Sequence, residues 1–393
     1  MEHDYKHRIT AHDFAIVDGN IYFSALNHNG IYMLSKENKL EFVQEFPWEY
    51  SGRRHMYGSV ICIDERLFFA PMNSHRFAIY DTRKREDKSF TVDERYIKKS
   101  VKSKFYGAAK YHNTVIFIPC RSHYIACMNA ETYEIEYHDE WLEVADLPQN
   151  FDGMIIKNAW FVYDGYLYLG LLFSDHIIKV SLDDYSQCQK IKIESSINGI
   201  ADMVLDEDNR AIWILGYKSN VIVRYDLDTQ SIEECFFTTE QIIYEKEFPY
   251  LSIEQMNGYL YIISNQAVDS YRIGKKTKSV ERLYWVNNTK MISEAEWGAF
   301  RYDVRKHSDD HFTVFNTGEM LIQQYFDDNS VQTFALEDHY SKLRSIYCTK
   351  NVNRETEDYS LSDMLETLAY QGAKERECVG LKIYECKSIH EKG

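Results

Sequence analysis

His75, His123 and His176 sit in the strings NSHRF, RSHYI and SDHII, each just ahead of an apolar run. The same place in the chain's rhythm holds Asn29, Asn220 and Glu319, with Val268 as the departure. Imidazoles exchange protons near neutral pH and ligate metals. A ring of them could face one central ligand, or each could close its own loop or bond the neighbouring unit. A further pair, His307 and His311 with Asp309 and Asp310 between them, falls in a turn between two apolar runs. On a helix that spacing gathers zinc ligands; in a hairpin turn it reads as solvated surface. No CxxC pair, P-loop, G-x-G-x-x-G or G-x-S-x-G occurs. Metal-cluster, NTPase, dinucleotide and acyl-transfer chemistry therefore have no local support. We expect no cofactor and no metal, and we assign no catalytic residue.

Charge supplies a second set. Arg53, Arg54 and His55 stand together, and Lys98, Lys99, Lys102 and Lys104 follow at the next comparable connection. The chain as a whole has 45 Lys+Arg against 61 Asp+Glu, a formal charge of −16. Such an acidic chain does not bind nucleic acid through general charge, since phosphate needs cations. A local cationic patch still attracts an anionic group, because screening confines each field to about 8–10 Å. Arg in particular holds a carboxylate or phosphate through two parallel bonds. Opposite in sign are Glu294, Glu296 and Asp152. Paired carboxylates perform glycosidic acid–base chemistry when their separation allows it. Trp48, Trp160 and Trp297 could stack on sugar rings, or could equally serve packing between sheets.

The elements that must position these groups repeat. A turn with Asp, Asn or Gly leads into a short apolar-aromatic strand in VDGNIYFSA, IDERLFFAP, YHNTVIFIP, YDGYLYLGL, EDNRAIWIL, QMNGYLYII and SDDHFTVFN. Taking Tyr22, Phe68, Ile116, Tyr168, Ile212, Tyr261 and Thr313 as equivalent, the intervals are 46, 48, 52, 44, 49 and 52 residues. Each copy is preceded by one strand and followed by two more, with hairpin turns between them. A four-stranded meander of this length cannot bury both faces alone. Consecutive meanders bury one another when arranged radially.

In period and strand pattern the chain resembles the Kelch/WD40-like β-propeller superfamily. The resemblance implies an all-β fold, a seven-bladed β-propeller of four-stranded antiparallel blades over residues 1–345. It implies no activity, because propellers host enzymes, binders and scaffolds alike. Tyr57-Gly58-Ser59, Tyr106-Gly107-Ala108 and Trp297-Gly298-Ala299 read as starts of innermost strands, where glycine permits close backbone approach near the axis. Residues 346–393 hold a polar linker, an amphipathic helix and a tail. Leu361, Met364, Leu365 and Leu368 of this segment share one helix face, giving a short C-terminal helical appendage.

In an up-down-up-down blade, loops between the second and third strands share a face with the blade-to-blade connections. Those connections are long: residues 45–56, 93–104, 139–155, 236–250 and 286–296. Long loops gathered on a rigid scaffold are where binding concentrates. The expected ligand-binding residues are therefore Arg53, Arg54, His75, Lys104, His123, His176, Trp160, Glu296 and Trp297. The reading is a non-catalytic binding or scaffold propeller, presenting this face to a protein partner or a small anionic, glycan-like ligand. The alternative is a propeller enzyme of hydrolase or lyase type acting on carbohydrate or a related polar substrate at the channel mouth. No run of about 18 apolar residues suits a membrane span, and the N-terminus lacks an apolar signal core. With eight unpatterned cysteines, we expect reduced thiols and a cytoplasmic protein with no membrane or nucleic-acid partner.

Overall fold

Apolar β-formers punctuated by turn residues at short intervals favour hairpins over helices. The computed structural model describes residues 7–8, 11–26, 29–37, 39–49, 55–148, 151–238, 250–264, 269–283, 302–306, 311–316, 321–326, 331–335 and 337–338. Four-stranded antiparallel sheets span residues 14–44, 57–91, 105–138, 160–192, 200–236, 250–283 and 302–335. In each, spatial order equals chain order. The first six blades are described with side chains, and the sheet at 302–335 chiefly through its backbone pairing.

The second strand of each sheet coincides with the repeat, for example Asn20–Ser24, Arg66–Pro71, Thr114–Pro119 and Ala211–Gly216. In the first six sheets these strands are largely buried, because each sheet is covered by its neighbours. The fourth strands, such as Glu86–Thr91 and Cys188–Lys192, lie outermost and are mostly exposed. The first strands pack each against the next from Phe14–Val17 through Tyr302–Lys306. The core is therefore a series of layers between blades. Phe46, Tyr57 and Phe69 fill the first layer, with Phe46 and Tyr57 ring centroids 4.2 Å apart. Phe77, Phe105 and Phe117 fill the second.

Register corrects one expectation. Tyr57 pairs with Pro71 and Phe105 with Pro119, so Tyr57 is equivalent to Phe105 and not to Tyr106. Each of these inner strands carries an irregularity just after its first pair, which shifts the aromatic-Gly pattern by one residue. Tyr57 is consequently an interblade core residue, whereas Tyr106 packs with Met72 and Cys120. The glycines do permit close approach. A Cβ on Gly107 would stand 2.5 Å from the Trp160 indole, and one on Gly58 2.9 Å from the Phe105 carbonyl.

The same inner position carries a polar staple at two places. Asp202 accepts from its own Met203 amide at 2.8 Å, from Ser252 Oγ at 2.7 Å and from the Ile253 amide at 3.0 Å. Asp13 makes the corresponding bonds to Phe14, Ser59 and Val60. Each carboxylate thus satisfies donors of its own strand and ties it to the next blade.

Asp18-Gly19, Asp164-Gly165 and Asn257-Gly258 each place two successive residues at positive φ, the hairpin turn whose twist matches the flanking strands. Gly258 has φ +79°, and a Cβ added there would meet nothing within 4 Å. Gly258→Ala therefore isolates the backbone effect. We expect a loss of about 1 kcal/mol, read as a lower urea midpoint at unchanged m.

The C-terminal helix, the domain boundary near 345, His307 and the start of the last inner strand at Trp297 lie outside the described residues. No helix among the described residues is long and apolar enough to cross a membrane.

Candidate ligand-binding face

Backbone bonds join the loops between second and third strands to the connections that leave each blade. The amides of Val92, Ile193 and Phe237 donate to the carbonyls of His75, Asp175 and Asn220. These loops therefore share a face with the blade-to-blade connections.

The recurring polar residues act chiefly as staples. Asn29 Nδ2 donates to the carbonyls of Phe46 and Glu49, both at 3.0 Å, and its Oδ1 accepts from the Phe46 amide. Asn220 Nδ2 donates to the Thr238 carbonyl at 2.8 Å. His123 Nε2 donates to the Phe151 carbonyl at 3.0 Å, reaching the connection into the fourth blade. His176 Nδ1 is engaged within its own loop by Ser174 Oγ and by Asp175 at 3.0 Å. His75 is half-buried. His123 and His176 thus bond to separate loops. No group of three or more His, Cys, Asp and Glu among the described residues is arranged to hold a metal.

Among the cations, Lys98 and Lys102 are exposed and Lys99 half-buried in the connection into the third blade. Lys104 departs from its expected place on an open loop, because it is 0% exposed. Its amide donates to Met72 and its carbonyl accepts from Cys120 and Ser122, which fixes it between the second and third blades. Arg121, which nothing in its string singles out beside His123, is exposed. Its amide bonds the Ser103 carbonyl at 3.0 Å, placing it beside Lys102. Arg53, Arg54, Glu294, Glu296 and Trp297 lie outside the described residues.

Trp160 packs its indole on Gly107 in the layer between the third and fourth blades. Trp48 donates from Nε1 to the Tyr57 hydroxyl at 2.8 Å. Both serve interblade packing. The aromatic surface on this face is instead a strip of side chains. Phe151 meets Phe173 edge-on at 6.4 Å, Phe173 meets Tyr217 at 5.3 Å, and Lys218 Nζ lies 5.4 Å from the Tyr217 ring centre. Phe173 is 53% exposed.

Burial pushes the Cys120 thiol well up, opposed by the charges of Arg121 and Lys157. It pushes Cys127 up to about 12 and Cys188 to about 11. Neutral buried thiols are poor nucleophiles. Burial, then the nearby Glu49 charge, raises the Tyr57 hydroxyl in the same way.

Sheets packed inner strand to inner strand, with the long connections gathered on one face, define a β-propeller. In sequence the chain matches no known protein family and no curated protein. In structure it is similar to virginiamycin B lyase from Staphylococcus aureus, with a TM-score of 0.58 at 13% identity, covering 80% of this chain and 95% of the lyase. A catalytically inactive His-to-Ala variant of that lyase, solved with quinupristin, gives 0.55 at 14% identity over 85% of this chain and 96% of the other. Hsv2 of Kluyveromyces lactis gives 0.51 at 11% identity over 84% and 99%. Likeness at these identities is a likeness of fold.

Proposed function

We propose that this propeller is a non-catalytic binding module whose long-loop face takes an anionic partner or glycan-like ligand across the second and third blades. One observation carries the reading: Lys98, Lys102 and Arg121 stand exposed on neighbouring loops of a chain whose formal charge is −16. Arg53 and Arg54 would extend the patch on the adjoining connection. The aromatic strip from Phe151 to Tyr217 offers apolar surface beside it. The test is calorimetric titration with a sulfated octasaccharide of the heparin type, using the intact chain and a variant with the three exposed cations replaced.

The catalytic alternative, a hydrolase or lyase on a polar substrate, draws on the fold likeness to the lyase alone. Of the carboxylates that the sequence offers for it, Asp152 is exposed, and Glu294 and Glu296 lie outside the described residues.

We further propose a closed ring of seven blades, with residues 346–393 as a separate appendage. Support comes from seven successive four-stranded sheets and from the antiparallel pairing of His7–Arg8 with Glu337–Asp338, which brings the two ends of the repeat region together. A reducing, cytoplasmic location fits the free thiols of Cys62, Cys120, Cys127, Cys188 and Cys235. All eight cysteines are expected to alkylate in denaturant without reductant. Mass spectrometry that recovers a native disulfide would contradict that location.

A further inference from the structure

Phe173 and Tyr96 are 53% and 41% exposed. Both lie on the long-loop face, and both adjoin the loop that carries Arg121. Tyr96 meets Tyr124 with ring centroids 5.4 Å apart, and Tyr124 follows Arg121 by three residues. On the other side His123 donates to the Phe151 carbonyl, and the Phe151 ring meets that of Phe173. The Arg121 loop is therefore flanked by two aromatic patches, one from the connection into the third blade and one from the fourth. A contiguous apolar patch rimmed by polar groups marks a binding surface, where a lone exposed ring does not.

Both patches are braced from behind. Tyr96 stacks on Tyr137 at 4.7 Å with planes 13° apart, and the Tyr137 hydroxyl accepts from the Asp93 amide. The loop of Phe173 is fixed through its backbone. The Ile200 amide donates to the Leu171 carbonyl at 3.0 Å, and a side chain at position 199 would collide with the Leu172 carbonyl. Gly199 thus lets the connection into the fifth blade lie close against that loop. Tyr217, whose amide donates to the Gly199 carbonyl at 2.8 Å, meets the Phe173 ring from the next blade. Groups ordered in advance lose less freedom on binding.

Cations alone would take any anion. Aromatic rings on both sides of them favour a ligand that also offers apolar ring faces along its length. A pyranose does this: its axial C–H bonds make a face apolar, while hydroxyl, carboxylate and sulfate groups project from its edge. An acidic peptide supplies the charge without such faces. We infer that this face takes a linear anionic glycan of several residues, with charged groups at Lys98 and Arg121 and pyranose faces on Tyr96 and Phe173, a reading that rests on the binding function proposed above. Ligand length and ring chemistry, and not charge alone, then set affinity.

The test titrates the sulfated octasaccharide into the unaltered chain and into Phe173→Ala, Tyr96→Ala and Phe173→Tyr. A sulfated monosaccharide, one ring for two patches, and a glutamate octapeptide serve as comparison ligands. Each alanine variant should bind the octasaccharide about fivefold more weakly or worse. Its salt dependence should be unchanged, because no charge is lost. Phe173→Tyr keeps the ring and should stay within about twofold. The monosaccharide and the octapeptide should each bind the unaltered chain more weakly than the octasaccharide by about tenfold or more. All three variants should keep the far-UV spectrum of the unaltered chain. Full octasaccharide affinity in either alanine variant, an equal loss in Phe173→Tyr, or equal binding of the octapeptide would overturn the glycan assignment. If affinity then still fell on replacing Lys98, Lys102 and Arg121, the cationic face would stand without it. Failure of the unaltered chain to bind the octasaccharide would overturn both.

Discussion

Asp202→Ala is expected to destabilise the protein by about 3–5 kcal/mol, among the largest effects of any single polar substitution here. The carboxylate is buried and satisfies three donors: the Met203 amide, the Ser252 hydroxyl and the Ile253 amide. Alanine leaves all three unmet, and each buried unmet donor costs about 1–3 kcal/mol. The fall is below the simple sum because the buried charge disappears with its own desolvation penalty. Ser252→Ala removes one donor and leaves the two amide bonds, so about 1 kcal/mol is expected. The double variant should lose less than the two single losses combined, since the residues share one network. Urea unfolding at constant m provides the measurement. A loss under about 1 kcal/mol for Asp202→Ala would mean that the blades do not depend on this staple.

Replacing Lys98, Lys102 and Arg121 together with alanine should weaken a sulfated octasaccharide at least tenfold while leaving the fold intact. A charge-assisted bond contributes about 1.5–3 kcal/mol at best, and exposed contacts contribute nearer 0.2–1 kcal/mol. Three contacts in the middle of that weaker range already exceed the roughly 1.4 kcal/mol that corresponds to tenfold. Stability should change little, because contacts made by exposed charges typically contribute only about 0.2–1 kcal/mol each. A variant that unfolded would instead mark these residues as structural, alongside Lys104.

The second strands were legible because turn residues and apolar-aromatic runs recur together, and Asn20–Ser24 or Ala211–Gly216 fall where that pattern puts them. Inner-strand register was less legible. An irregularity in the pairing leaves no compositional mark, so Tyr57 and Tyr106 look equivalent although only Tyr106 packs with the Met72–Cys120 group. Lys104 reads as a loop cation, and its burial comes from long-range bonds to Met72 and Cys120. Arg121 lies inside the string that draws attention to His123, yet only the bond to Ser103 reveals that it faces the lysine-bearing connection. The aromatic strip joins Phe151, Phe173 and Tyr217 from separate connections and loops, and no local spacing announces it.

Affinity for the sulfated octasaccharide, measured at two salt concentrations for the unaltered chain and for the Lys98, Lys102 and Arg121 triple alanine variant, tests the proposed binding face most directly. The account predicts that the unaltered chain binds, that its affinity falls as salt rises, and that the variant is at least tenfold weaker with a shallower salt dependence. Equal affinities for the two proteins, with no response to salt, would contradict a cationic site on the long-loop face.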